Sequence, residues 1–169
     1  MTPEGYTGRR LEIRVRDTVR FGAGVVGELP GVLADLGAEA AFVVTDAGVV
    51  GSGVAGRVVD LLRAGDVTVE LFDGVEPNPG TASIERGSAR LRPFRAEHPS
   101  AVVVGLGGGS AMDSAKVIAL HAANQHAVMS LGYHDETLEP GPPVVAIPTT
   151  AGTGAETNTY GVITDESIG

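Results

Sequence analysis

The sequence contains no cysteine and no tryptophan, and only 4% of its 169 residues are aromatic. The absence of cysteine excludes a disulfide framework and a thiolate metal site. The chain also lacks any run of about 18 apolar residues that would indicate a membrane span. Its start, "MTPEGYTGRRLEIRV", does not have the basic-then-apolar layout of a secretory signal. We therefore expect a soluble protein that resides in the cytoplasm.

Positive charge is scarce as well. Twelve Lys and Arg residues face 21 Asp and Glu residues, which gives a net charge of −9 and a pI near 4.8. Such a charge repels nucleic acid and anionic membranes at long range, so a phosphate-bearing ligand would have to be held by local backbone geometry. Because 43% of the residues are hydrophobic, a chain of this length can bury the core of about one domain. We expect residues 1–169 to form that single domain.

Short apolar runs alternate with helical patterns along the chain. The segment 11–22 alternates like an N-terminal edge hairpin, whose free strand edge could pair with a second copy in a homodimer. Strands separated by helices of roughly 10–15 residues imply right-handed parallel crossovers. The fold class predicted is therefore α/β, with a doubly wound, mainly parallel, Rossmann-like sheet. Further strands are expected at 40–46, 67–74, 101–107, 142–150 and 159–164, and helices at 29–36, 53–65, 81–97 and 110–124.

Glycine and proline residues indicate where helices begin and end. Pro30 suits the first turn of the helix at 29–36, and Gly65 is a good C-terminal stop for the helix at 53–65. Pro93 is expected to end or kink the helix at 81–97.

The stretch "AVVVGLGGGSAMDSAK" (101–116) packs four glycines into five positions between a buried strand and a helix. Glycines 107–109 followed by Ser110 would place unpaired backbone N–H groups and the positive end of the helix at one point. Glycine also lets a pyrophosphate approach the backbone and permits positive φ in the turn. The turn is therefore a candidate anion site. Two structural alternatives are a tight turn without a ligand and a capping box formed by Ser110 and Asp113.

Two further segments favour a nucleotide ligand. Asp46 ends a strand, and an acid in that position often accepts hydrogen bonds from a nucleotide ribose. Its alternative role is that of an N-cap or turn residue before "AGVVGSG". The segment "AIPTTAGTGAETN" (146–158) again runs from a strand into small and hydroxylated residues, which can approach a ligand closely.

Taken in this order, the segments resemble the iron-containing (group III) alcohol dehydrogenases, a family related in fold to glycerol dehydrogenase and dehydroquinate synthase. The matching stretches are "FGAG" (21–24), "VVTD" (43–46), "GVEPNPG" (74–80), "GLGGGSAMDSAK" (105–116) and "PTTAGTGAETNTYGVITD" (148–165). The resemblance implies that Gly107, Gly108, Gly109 and Ser110 bind the pyrophosphate of NAD, that Asp46 binds the adenosine ribose, and that Asn78, Thr149, Thr150 and Thr153 contact other parts of the cofactor. NAD is expected in preference to NADP, because a 2′-phosphate would lie against the carboxylate of Asp46.

The sequence departs from the family pattern at its last motif. Ala155 stands where the family usually has serine, and "TNTYG" follows Glu156. This departure leaves open the chemistry near the nicotinamide and the identity of the alcohol. Asp113 and Lys116 match the family's glycine-helix pattern, but at i, i+3 spacing they could equally form a surface pair worth about 0.2–0.5 kcal/mol.

The resemblance also implies a second, mostly helical domain that supplies an aspartate and three histidines to a catalytic divalent metal such as iron or zinc. The chain ends at Gly169, so we expect that C-terminal domain to be absent from it, together with the metal and the catalytic residues. The histidines show no H-x-x-x-H or H-E-x-x-H spacing, and surface or helix-end roles are expected for them instead. They are His98, His121, His126 and His134.

The function predicted is cofactor binding within a metal-dependent alcohol dehydrogenase, which transfers hydride between an alcohol or aldehyde and NAD(P). The isolated chain is expected to be inactive. One alternative is a dehydroquinate-synthase-like lyase, although its substrate-binding lysines should begin to appear and the chain has one lysine. The other is a stand-alone nucleotide-binding module without catalysis.

Overall fold

The computed structural model describes residues 11–14, 18–124, 126–131 and 137–165. A four-stranded parallel sheet in the order β4-β3-β5-β6 carries helices on both faces, which confirms the α/β, doubly wound prediction. The strands are β1 (Leu11–Arg14), β2 (Thr18–Phe21), β3 (Ala40–Asp46), β4 (Thr68–Val75), β5 (Val102–Gly107) and β6 (Val144–Pro148). The helices are α1 (Leu29–Asp35), α2 (Ala47–Gly51), α3 (Val54–Ala64), α4 (Thr81–Glu97) and α5 (Gly109–Ala123).

The two central strands form the middle of the core. Strand β3 is buried from Ala40 to Thr45, and every residue of β5 is buried, as is typical of parallel strands covered on both faces. Phe42 and Val44 belong to the cluster that includes residues of α4 and α5, whereas Val43 packs with residues of α1 and α3. Each of these fully buried side chains stabilises the fold by about 1.5–3 kcal/mol. The two uninterrupted apolar runs of the sequence therefore correspond to β3 and β5, which pair with each other at the centre of the sheet.

The predicted C-terminal end of α3 at Gly65 lies against the predicted first turn of α1 at Pro30. Pro30 lies in the first turn of α1, and Gly65 follows the last residue of α3, as expected. The φ of Gly65 is −94°, and the left-handed conformation falls on Asp66, with φ of 59°. A Cβ atom on residue 65 would lie 2.6 Å from Cβ of Pro30, so glycine is needed there for the contact between α1 and α3.

Two of the expectations about elements need correction. Helix α4 continues through Pro93 to Glu97, so the proline does not end it, and a kink at Pro93 stays a prediction. The strand predicted at 159–164 is wrong, because this segment makes only an isolated bridge between Gly80 and Thr164. The segment packs on α5 instead, where a Cβ atom on Gly161 would lie 2.6 Å from the carbonyl oxygen of Asp113. Its alternating pattern therefore reflects packing on a helix.

The N-terminal hairpin is confirmed. Strands β1 and β2 pair antiparallel, with Leu11 opposite Phe21, and form a two-stranded sheet separate from the parallel one. A homodimer through this hairpin stays a prediction. Within the described residues, none of the helices combines the length and the apolar character needed to cross a bilayer.

Candidate functional site

The candidate site lies where β3 and β5 separate at their carboxyl ends. The chain leaves β3 toward β4 on one side and leaves β5 toward β6 on the other, so this is the point where the strand order reverses. The pairing of the two strands runs from Ala41 opposite Val102 to Val44 opposite Gly105. One residue further on, the buried hydroxyl of Thr45 donates a hydrogen bond of 2.7 Å to the carbonyl oxygen of Leu106. Ligands of open parallel sheets bind in such a crevice.

Residues 107–109, which we call the glycine turn, connect β5 to α5. Gly108 is the N-cap residue, no side chain caps the helix, and the N–H of Met112 bonds the carbonyl oxygen of Gly108. The N–H groups of residues 109–111 therefore have no acceptor within the helix. The capping-box alternative for Ser110 is wrong, because glycine occupies the cap position and Ser110 is already the second residue of α5.

The glycine turn has little room for side chains. Gly107 has a φ of 148°, and a Cβ atom there would lie 2.7 Å from Cβ of Ala111. A Cβ atom on Gly108 would lie 3.2 Å from Oγ1 of Thr150, and one on Gly109 would lie 3.3 Å from Cβ of Thr153. The turn is thus a bare backbone surface bordered by threonine side chains.

Those threonines belong to residues 149–157, which we call the threonine loop. The loop begins directly after β6, where the N–H of Thr149 donates a 2.8 Å hydrogen bond to the carbonyl oxygen of Gly107. The side chains of Thr150 and Thr153 are exposed and border the glycine turn. The loop and the turn therefore form adjoining walls of one site.

Asp46 ends β3 beside the same turn. Its Oδ1 atom accepts a 2.9 Å hydrogen bond from the N–H of Val49, so the predicted N-cap role is present at the start of α2. Its Oδ2 atom would lie 3.4 Å from a Cβ atom on Gly107. One carboxylate oxygen thus caps a helix while the other faces the glycine turn.

Asn78 is less closely integrated with the other predicted residues. It lies three residues beyond the end of β4, is exposed and adopts the left-handed conformation with φ of 52°. Within the described part of the chain, no hydrogen bond joins it to the glycine turn, the threonine loop or Asp46. The structure therefore brings eight of the nine predicted residues together and places Asn78 separately at the same edge of the sheet.

Lys116 plays a part that the sequence analysis did not foresee. Its Nζ atom lies 2.8 Å from Oδ1 of Asn158, 2.8 Å from the carbonyl oxygen of Tyr160 and 3.2 Å from Oδ1 of Asp113. Only 13% of the Lys116 side chain and 14% of the Asp113 side chain are exposed, so the surface-pair alternative is wrong. The sequence signal was the single lysine of the chain, placed amid small and apolar residues of a helix.

The described histidines occupy structural or surface positions. His98 packs against Phe94 at the end of α4, with 4.9 Å between the centroids of the two tilted rings, and His126 is exposed. His121 is buried, its Nε2 atom donates to the carbonyl oxygen of His126, and its Nδ1 atom contacts Ser88. Burial, with a smaller effect of the Arg92 charge, lowers the pKa of His121, so the neutral ring is favoured. His134 lies outside the described residues.

Metal ligands do not converge in the part of the chain that the structure describes. No group of three or more His, Asp or Glu side chains is placed to hold a metal ion there.

Comparison with known proteins gives consistent matches. The family model "Iron-containing alcohol dehydrogenase" matches residues 17–169. The choline dehydrogenase of Bacillus subtilis is 38% identical over 88% of this chain and 37% of its own length. The lactaldehyde reductase of Escherichia coli K12 is 36% identical over 90% of this chain and 39% of its own length. The chain thus spans less than two fifths of these relatives.

Solved structures show the same similarity. One is a sulfoacetaldehyde reductase from Bifidobacterium kashiwanohense in complex with NAD+. The structural match covers 86% of this chain and 38% of the reductase chain, with a TM-score of 0.74 and 29% identity. A 1,3-propanediol oxidoreductase matches 95% of this chain and 40% of its own with a TM-score of 0.78 and 31% identity. The family model's match over residues 17–169 includes the parallel sheet, the glycine turn and the threonine loop, and the chain belongs to the iron-containing alcohol dehydrogenase family.

Proposed function

We propose that this chain is the dinucleotide-binding domain of a metal-dependent alcohol dehydrogenase, which transfers hydride between an alcohol or aldehyde and NAD(P). The observation that carries the proposal is the convergence of three features at one crevice. Free backbone N–H groups at the start of α5, hydroxyl groups of the threonine loop and the carboxylate of Asp46 all adjoin the glycine turn. The relatives reported above are dehydrogenases and reductases by name, which favours this reaction over a lyase.

The residues present fit a dinucleotide. A pyrophosphate needs N–H donors beside a backbone without side chains; glycines 107–109 leave that backbone bare, and the first N–H groups of α5, including that of Ser110, are the donors. The ribose hydroxyls of adenosine need an acceptor, and Oδ2 of Asp46 faces the same turn. Thr149, Thr150 and Thr153 would contact other parts of the cofactor, and Asn78 would do so from the loop after β4. The bound nicotinamide would supply the carbon that accepts or donates hydride.

A divalent metal would need three or four converging ligands. We propose that a second domain of a longer protein supplies them and binds the alcohol. The additional length of the relatives supports this division, since the chain covers 37% and 39% of the two curated relatives named above.

The experiment that tests nucleotide binding is calorimetric titration of the chain with NAD and with ADP. Gly108→Val should weaken binding of both ligands at least tenfold, because branched carbon atoms would occupy the surface that the phosphates must approach. Gly108 has a φ of −78°, so valine imposes no left-handed strain there. The matched control is Gly56→Val, since residue 56 lies in α3 with nothing within 4 Å of an added Cβ atom. Equal affinities of Gly108→Val and the parent chain would remove the glycine turn from the site.

A further inference from the structure

We propose that Lys116 is a positioning residue that holds the threonine loop against the glycine turn. The lysine would act through the loop, without touching the nucleotide itself. This inference rests on the proposed nucleotide-binding function and names a residue that determines how well the two walls of the site are pre-organised.

Each of the three donors of the Lys116 ammonium group has an acceptor. An ammonium has three N–H donors, and Nζ of Lys116 has three oxygen acceptors at 2.8, 2.8 and 3.2 Å. Asp113, on the same helix, supplies one acceptor and the compensating negative charge. The other two acceptors belong to Asn158 and Tyr160, which directly follow the threonine loop. The lysine therefore connects α5 to the segment in which the loop ends.

Asn158 connects the lysine to the threonine loop. Its Oδ1 atom accepts from Lys116 and from the N–H of Tyr160, and its Nδ2 atom donates to the carbonyl oxygen of Gly154 at 3.2 Å. Gly154 follows Thr153, whose side chain borders Gly109 of the glycine turn. A continuous path of contacts thus runs from the lysine to the residue that faces the start of α5.

The first half of the threonine loop, residues 149–153, is exposed. The N–H of Thr149 donates to the carbonyl oxygen of Gly107 at one end, and at the other end Ala155 is buried and Asn158 accepts a hydrogen bond from Lys116. Gly152 and Gly154 of the loop adopt positive φ values of 100° and 67°. Ordering such a loop costs conformational entropy. If the lysine did not hold the loop, nucleotide binding would have to supply that free energy, and the affinity would fall.

The test compares Lys116→Met with the parent chain. Methionine removes the three donors and keeps an unbranched side chain of similar length. We expect the dissociation constants for NAD and ADP to rise roughly tenfold or more. Hydrogen exchange in residues 149–160 should become faster, whereas exchange in β3 and β5 should not change. A residue that only stabilised the fold would leave the affinity of the folded protein unaltered.

The control variant is Ser88→Ala. It removes a buried hydroxyl that bonds Ile84 and contacts His121, away from the nucleotide site. This variant should lower stability and leave both dissociation constants unchanged. Asn158→Ala breaks the connection between Lys116 and the threonine loop from the other side and should reproduce the effects of Lys116→Met on affinity and exchange. If Lys116→Met does not fold, Asn158→Ala decides by the same two measurements.

Three outcomes separate the two proposals. Weaker binding with faster loop exchange supports the positioning role. Unchanged affinity in the folded variants overturns that role and leaves the proposed function intact. Failure of the parent chain to bind NAD or ADP overturns the proposed function, and with it the positioning role toward a nucleotide.

Discussion

At the scale of single residues, Asp46 combines two tasks in one carboxylate. Oδ1 caps α2 through the N–H of Val49, and Oδ2 faces the glycine turn. From the sequence, a ribose acceptor and an N-cap are alternative roles for this residue. The geometry makes them compatible, because the two oxygens point to different partners. A nucleotide could therefore bind Asp46 without breaking the helix cap.

This arrangement predicts a preference for NAD over NADP. A phosphate at about 4 Å from the carboxylate would cost about 1 kcal/mol in water and about 4 kcal/mol at a surface-like dielectric, which corresponds to roughly fivefold to nearly thousandfold discrimination. Asp46→Gly should reduce this discrimination between the two cofactors. The same variant should lose about 1.5–3 kcal/mol of NAD binding free energy, the contribution of one charged hydrogen bond. Competition binding of the two cofactors measures the ratio.

Asp46→Asn is the matched control for that prediction. Asparagine is as good an N-cap as aspartate, so this variant keeps α2 capped and removes only the charge. This variant should also reduce the difference between the affinities for NAD and NADP. A parent chain that already prefers NADP, or a ratio that neither substitution changes, would limit Asp46 to its capping role.

The long-range hydrogen bonds of Thr45 and of Lys116, the single lysine, could not be predicted from the sequence. Their partners lie 42 to 61 positions away along the chain, at Asn158 and Leu106. Local patterns carry no information about such contacts. The glycines of the turn and Asp46 could be identified because their chemistry is tied to strand ends, which the local pattern predicts.

At the scale of elements, the predicted sheet and its helices are largely confirmed. Strands β3 and β5 are apolar runs flanked by turn residues, β4 combines apolar residues with Glu70 and Asp73, and α3 has a clear apolar face that ends at Gly65. The segment 159–164 was predicted wrongly because its apolar alternation fits both a strand and an extended segment packed on a helix. The choice depends on tertiary contacts with Asp113 and Lys116, which the local sequence does not reveal.

The packing of this segment gives a prediction about stability. Gly161→Ala should destabilise the fold by about 1–3 kcal/mol, because the added Cβ atom would lie 2.6 Å from the backbone oxygen of Asp113 and 2.6 Å from Cγ2 of Val117. Urea unfolding of the parent and the variant measures this difference.

The matched control is Gly56→Ala in α3, where nothing lies within 4 Å of the added atom. Alanine has the higher helix propensity, so stability should rise by up to about 1 kcal/mol. A Gly161→Ala variant as stable as the parent chain would show that residues 159–164 do not need to lie against α5.

At the scale of the whole molecule, a chain with a net charge of −9 is proposed to bind an anionic dinucleotide. Long-range charge opposes such a ligand, so attraction has to come from oriented N–H groups and the positive end of α5. The fold provides this by bringing the ends of β3, β5 and β6 to one edge of the sheet. The site is therefore a property of the topology, and residues from position 46 to position 153 meet there.

An amide NMR titration of the chain with NAD locates the dinucleotide directly. The largest shift changes are expected at residues 107–110, with further changes at Asp46, Asn78 and the threonine loop, and smaller ones in α3 and the outer face of α4. Shifts that are confined to other parts of the molecule, or no change at saturating NAD, would contradict the assignment of this crevice as the dinucleotide site.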